Sequence, residues 1–103
     1  MPVDETYVVE WDSSDLPGAI KMAFHYLEIK DEIVGYVYLY PRMMKRLTVE
    51  LPEEVEFAYI PNGIGMIRTA YIKFDPSVRE NEMRFLNQGK TIQLRVFLKG
   101  SLE

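Results

Sequence analysis

The stretch from residue 33 to residue 41 constrains the fold most strongly, because its side chains alternate with a period of two. This period, carried by β-branched and aromatic residues, is typical of a strand, and Pro41 ends it because proline has no N–H to donate to a sheet. One side of the strand offers ordinary core residues, whereas the other offers three tyrosines that need a packing partner or a ligand. The two sides consist of Ile33, Gly35, Val37 and Leu39, and of Val34, Tyr36, Tyr38 and Tyr40.

Five other segments alternate in the same way and predict five further strands. They are residues 3–11, 46–51, 55–60, 64–74 and 91–99. Turn residues separate several of these segments. Pro52-Glu53-Glu54 predicts a turn, and Pro61-Asn62-Gly63 predicts a hairpin turn because Asn-Gly supplies the positive φ that hairpins require.

Two segments show helical patterns. Residues 15–29 place their apolar side chains on one helical face, follow a cluster of capping residues at 12–15, and carry Pro17 in the first turn. A strand is the alternative there, because residues 20–26 also alternate. Residues 77–88 are the second predicted helix, since Ser77 and Glu80 have the spacing of a capping box and Gly89 is suited to a C-cap.

The resulting order, β-α-β-β-β-β-α-β, predicts an α+β fold in which a mostly antiparallel sheet carries two helices, about 15–29 and 77–88, on one face. A ferredoxin-like split βαβ with an added hairpin fits this order. If residues 15–29 form a strand, the prediction becomes a β-barrel or sandwich carrying one helix. The length predicts a single domain over residues 1–100, and residues 101–103 are typical of a vector-derived tail.

The composition excludes several kinds of site. The chain has no cysteine and one histidine, so disulfides, thiolate metal sites and the usual zinc motifs are excluded, and we expect no metal and no cofactor. The sequence has no apolar run of membrane-spanning length and no secretory signal, which predicts a cytoplasmic protein without a membrane partner. His25 is the only candidate general base near neutral pH, and an enzyme built around it is the least favoured function.

The outer face of the predicted sheet carries the remaining functional signal, because aromatic rings and cations are interleaved there. A large exposed aromatic face is a liability, so we predict that a second copy of the chain covers it. The chain is then a non-enzymatic protein-interaction module that forms a homodimer and binds a protein partner. The residues predicted to make this face are Tyr36, Tyr38, Tyr40, Tyr71, Lys73, Arg95 and Phe97.

Single-stranded nucleic acid is the alternative partner for the same face. Aromatic rings stack on bases and cations contact phosphates in such proteins. The net charge of −4 argues against this alternative, because nucleic-acid binders are usually basic.

Overall fold

The computed structural model describes residues 3–56 and 65–100, which form two helices and seven strands. The predicted α+β class is confirmed. In chain order the elements are β1 (Glu5–Asp12), α1 (Leu16–Ile29), β2 (Val34–Leu39), α2 (Pro41–Glu50), β3 (Val55–Glu56), β4 (Gly65–Ile67), β5 (Ala70–Phe74), β6 (Glu82–Asn87) and β7 (Ile92–Lys99).

The strands form one sheet in the order β1-β7-β6-β2-β5-β4-β3. Two of the six neighbouring pairs, β1 with β7 and β2 with β5, are parallel, and the other four are antiparallel. The prediction of a mostly antiparallel sheet is therefore confirmed. Strand β2 lies at the centre, so the tyrosine-rich stretch occupies the middle of the sheet.

Both helices contribute to one core with one face of the sheet. The side chain of Asp15 caps α1 by accepting a hydrogen bond from the Gly18 amide at 3.1 Å, and the helix then buries its apolar stripe. Phe24 on that stripe meets Phe85 of β6 edge-on, with ring centroids 6.1 Å apart. The buried residues of the sheet in this core are Val34, Val37, Leu39, Ile67, Ala70, Ile72, Met83, Phe85, Ile92, Leu94, Val96 and Leu98.

The second helix is α2, at a place where the sequence predicted a basic connection and a strand over 46–51, and that prediction is wrong. Pro41 occupies the first turn, where its missing N–H costs nothing. Met43, Met44 and Leu47 are buried at helical spacing, whereas Val49, which should share a strand face with Leu47, is 72% exposed. Burial therefore selected the helical period over the alternating one.

Strand β6 replaces most of the helix predicted over residues 77–88. Asp75, not Glu80, holds Ser77, because its carboxylate accepts hydrogen bonds from the Ser77 amide and hydroxyl. Residues 82–87 then pair with β2 on one side and β7 on the other, which gives their backbone groups two sets of sheet hydrogen bonds. Gly89 is not a left-handed C-cap; Lys90 takes the positive φ, 59°, in the turn that follows β6.

The strand predicted over 64–74 is two strands. Residues Ile67 and Ala70 pair across a tight hairpin in which Arg68 has a φ of 52°. This turn brings Ile67 to the same side as Ala70 and Ile72, so Ile67 is buried rather than facing away from the core. The predicted Pro61-Asn62-Gly63 turn and most of the strand 55–60 lie outside the described residues.

A register shift in β2 exchanges the roles of two neighbouring residues. The pairing with β6 shifts between Val34 and Tyr36, so Val34 is buried in the core and Ile33, predicted to be there, is 53% exposed. Gly35 lies at the shift, where an added Cβ would approach the Cα of Gln88 to 2.8 Å. The backbone of the turn that follows β6 therefore packs directly on Gly35.

The structure confirms neither of the two more specific predictions of the fold. A ferredoxin-like variant is not confirmed, because the observed order β-α-β-α-β-β-β-β-β differs from β-α-β-β-α-β. The barrel or sandwich alternative is wrong, since residues 16–29 are helical and the described strands form one sheet with β1 and β3 at its edges. Neither described helix has the length and apolar character needed to cross a membrane.

Candidate functional site

The face of the sheet opposite the helices is the candidate site, and we call it the open face. Its side chains include Val8, 59% exposed, and Tyr71, 38% exposed, and Tyr36 and Tyr38 are half-buried. None of these belongs to the buried core between helices and sheet. Within residues 3–56 and 65–100, no helix packs over this face, so its aromatic side chains are available to a partner.

The register of the strands arranges the open face in two neighbouring rows that run across the sheet. The first, which we call the aromatic row, is Met66, Tyr71, Tyr36, Leu86 and Gln93. The second, which we call the cation row, is Lys73, Tyr38, Arg84, Arg95 and Val8. Two residues along each strand separate the rows, a distance of about 6.7 Å.

The tyrosines form a cluster at the centre of this face. The ring centroid of Tyr36 lies 6.3 Å from that of Tyr38, with the planes 21° apart, and 6.2 Å from that of Tyr71. Two ammonium groups lie against the same ring: that of Lys73 at 5.1 Å and that of Lys90 at 4.5 Å from the Tyr36 centroid. The centre of the open face is therefore aromatic and positively charged, and it can bind planar rings and anions.

Glu82 organises the cations beside the tyrosine cluster. Its side chain is fully buried, and its Oε2 accepts hydrogen bonds from the Nε atoms of Arg84 and Arg95, each at 2.7 Å. The backbone N–H of Arg79 donates to Oε1 at 3.2 Å. Burial by itself raises the pKa of Glu82, but the bonds from Arg95, Arg84 and the Arg79 amide outweigh it and lower the pKa to about 2.

The two arginines bound to Glu82 differ in how many further hydrogen bonds they make with the described residues. Arg84 also donates to the hydroxyl and the carbonyl oxygen of Ser77, both at 3.2 Å. Arg95 makes only its bond to Glu82 with the described residues, and its guanidinium carbon lies 5.0 Å from the centroid of Phe97. Arg95 thus has N–H groups available to a partner, held in place by a carboxylate and an aromatic ring.

The structure brings together four of the seven predicted site residues: Tyr36, Tyr38, Tyr71 and Lys73. Two more, Arg95 and Phe97, share the open face but lie on β7, separated from the tyrosines by β6. Tyr40, the remaining predicted residue, lies beyond the end of β2 and is the N-cap residue of α2.

Sequence reasoning missed Glu82 and Arg84, because residues 77–88 were predicted to be a helix, and it missed Lys90, which lies in the turn after β6. A signal for the first two existed. In Glu82-Met83-Arg84-Phe85-Leu86-Asn87, charged and core residues alternate over the first four positions, which is the strand period.

His25 lies elsewhere, on the outer surface of α1. It lines a groove of about 650 Å³ together with Trp11, Lys21, Glu28 and others. Its side chain is exposed and makes no hydrogen bond to the described residues, so no group there orients it as a base. No group of three or more potential metal ligands occurs in the described part of the chain.

Comparison of the sequence with models of known protein families found no match. Comparisons with curated proteins and with solved structures found no similar protein either. The function must therefore be argued from the residues of this chain.

Proposed function

We propose that this chain is a non-enzymatic interaction module whose binding surface is the open face, and that its partner there is a second copy of the chain. A homodimer of this kind can present its remaining surface to another protein. We place the module in the cytoplasm, because a chain without cysteine suits a reducing compartment.

The observation that carries the proposal is the uncovered tyrosine cluster of Tyr36, Tyr38 and Tyr71. Burying such rings against a partner gains apolar contact area, and ring pairs gain further from stacked or edge-on geometry. Tyrosine is enriched at the centres of protein interfaces for these reasons. A second copy of the chain carries the same tyrosine cluster and is always present together with the first.

The size of the face limits the area that a dimer can bury. Seven strands span about 29 Å and a typical strand in this sheet spans about 18 Å, so the projected area is roughly 500 Å². A standard interface buries about 800 Å² per partner. We therefore expect a dimer that uses the whole face and dissociates in the micromolar range.

Light scattering coupled to size exclusion tests the proposal by measuring the mass at low and high micromolar concentration. We expect the mass to rise toward that of a dimer. Tyr71→Lys should hold the chain as a monomer at the same concentrations, because it adds a cation, at a site that is exposed in the single copy, to a face that already carries Lys73 and Lys90.

Val49→Lys is the matched control, since Val49 is an exposed apolar residue on α2, on the opposite side of the molecule. We expect it to dimerise like the unsubstituted chain. A monomer at high micromolar concentration, or equal dissociation by both substitutions, would contradict the proposal.

Single-stranded nucleic acid is a second candidate partner, favoured by the cation row. Lys73, Arg84 and Arg95 follow one another across the sheet beside the stacked tyrosines, and Glu82 neutralises only one of these charges. Fluorescence anisotropy with labelled oligonucleotides at low salt tests it. Binding through three phosphates should weaken with a slope of about −2 in log K against log salt, and Lys73→Glu should weaken it further. No binding at low salt would exclude this candidate.

A further inference from the structure

We propose a specific arrangement for the dimer: each strand of one copy lies antiparallel over the same strand of the second copy. The two-fold axis then runs across the strands, between the aromatic row and the cation row. This inference rests on the proposed self-association and adds which residues meet.

Only two orientations of a two-fold axis bring the open faces of two copies together with aligned strands. The axis lies between the sheets and runs either along the strands or across them. Aligned sheets pack with their strands within about 30° of each other, so both orientations are sterically reasonable. We place each axis at the centre of the face, through the middle of β2, so that the whole face is buried, and the charges on the face then distinguish the two orientations.

An axis along the strands, through the central β2, places the cation row of one copy over the cation row of the other. Strands β5 and β6 flank β2, so Lys73 of each copy would lie over Arg84 of the other. Symmetry repeats this contact, which gives two pairs of like charges at the centre of a desolvated interface. Such juxtapositions are strongly unfavourable.

An axis across the strands, between the two rows, places the cation row of each copy over the aromatic row of the other. Lys73 then lies over Tyr71, and Tyr38 lies over Tyr36 of the second copy. These are cation–π and aromatic contacts of the kind that each copy already makes, with Lys73 against Tyr36 and Tyr36 stacked on Tyr38.

Lys90 belongs to the turn between β6 and β7, and its ammonium group reaches back to the aromatic row, 4.5 Å from the centroid of Tyr36. In this arrangement the Tyr36 ring and the ammonium group beside it face Tyr38 of the second copy, which adds a further contact between a cation and an aromatic ring.

The two arrangements differ most at the edge strand β1, which gives a direct test. Val8 lies in the cation row of β1, is 59% exposed, and belongs to a chain without cysteine, so Val8→Cys accepts a single spin label. In the proposed arrangement the two β1 strands lie over each other, with the Val8 Cα atoms about 12 Å apart. An axis along the strands puts them at opposite edges, about 30 Å apart.

Electron paramagnetic resonance on the labelled dimer measures this distance. We expect strong broadening from labels at Val8→Cys, and none from the control Val49→Cys, because the helices of a face-to-face dimer point outward. A long distance at both sites would overturn the arrangement while leaving self-association intact. A short distance at Val49→Cys would show that the helical side forms the dimer, and a monomeric mass would overturn the self-association itself.

Discussion

The two faces of the sheet belong to the same strands, but different interactions order their side chains. On the face toward the helices, Phe85 and Leu94 are fully buried and need only apolar neighbours. On the open face, the next residues along the same strands, Arg84 and Arg95, remain partly exposed and are held by the carboxylate of Glu82. A face without a covering helix can therefore still be ordered, by hydrogen bonds and ion pairs within the sheet.

The two faces contribute differently to folding and to binding. The helix-covered face removes apolar surface from water, which is the main favourable contribution to folding. The open face contributes less to folding, because its rings keep part of their surface in contact with water. It therefore retains surface whose burial can stabilise a complex.

Phenylalanine occurs on both faces, so truncating each one tests the comparison with the largest expected effect. We expect Phe85→Ala to lower the free energy of unfolding by about 4 kcal/mol, because it leaves a cavity in the core beside Phe24. Phe97→Ala on the open face should cost about 1 kcal/mol, mainly through the lost contact with Arg95. Urea unfolding of the monomer measures both. Equal losses would contradict the distinction between the faces.

The buried carboxylate of the open face is the next test. Glu82→Gln should lower the free energy of unfolding by about 3 kcal/mol, because it leaves two arginines without their charged acceptor. Glu80→Gln is the matched control, since the ion pair of Glu80 with Arg42 is exposed and should change stability by about 0.5 kcal/mol or less. If the two substitutions cost the same, Glu82 does not order the face.

The same carboxylate makes stability depend on acidity. The pKa of Glu82 is about 2 in the folded chain, against an ordinary value of 4.5, so the folded state binds the proton more weakly than the unfolded state. This contribution is complete above pH 4.5 and is lost as the pH falls through 4.5 toward 2, amounting to at most about 3 kcal/mol. Urea unfolding between pH 6 and pH 2 should show the unsubstituted chain losing its advantage over Glu82→Gln. A constant difference would contradict the assignment.

The register shift in β2 decides which residues reach which face, and its glycine gives the smallest predicted effect. Gly35→Ala should cost about 2 kcal/mol, because the new methyl group approaches the backbone of Gln88. The control Gly89→Ala meets only Asn87 and Thr91 at 3.8–4.0 Å and should be neutral or slightly stabilising. Thermal unfolding followed by circular dichroism compares them, and equal melting temperatures would mean that the shift tolerates a side chain.

Parts of the fold were predictable because local chemistry and burial agree there. Helix α1 was predicted from the cluster of capping residues at 12–15 and from its apolar stripe; the stripe is buried as predicted, and Asp15 is the member of the cluster that caps the helix. Strand β7 was predicted from its alternation, and the apolar side of that alternation, which was predicted to face the core, is buried: Ile92, Leu94, Val96 and Leu98. The central tyrosines were assigned to the correct face, although their function as a binding surface stays a prediction.

The remaining errors arose where two periods fit the same few residues. In the segment 46–51, both a strand and a helix bury Leu47, and only packing against α1 and the sheet decides that Val49 is exposed. The segment 77–88 has a capping-box spacing, which is a local signal. Its residues 82–87 nevertheless form a strand, because they pair with β2, which is distant in the sequence, and with β7, which follows directly.

Local patterns in the sequence specify the class of the fold, the first helix, strands β1 and β7 and the central strand with its tyrosines, because periodicity and capping act over a few residues. Long-range pairing, in contrast, makes residues 82–87 a strand between β2 and β7. That pairing places Arg84 between Tyr38 and Arg95, and it buries Glu82 beneath the two arginines. The tyrosine stretch thereby acquired its row of cations, because strand pairing joins residues that no local pattern connects.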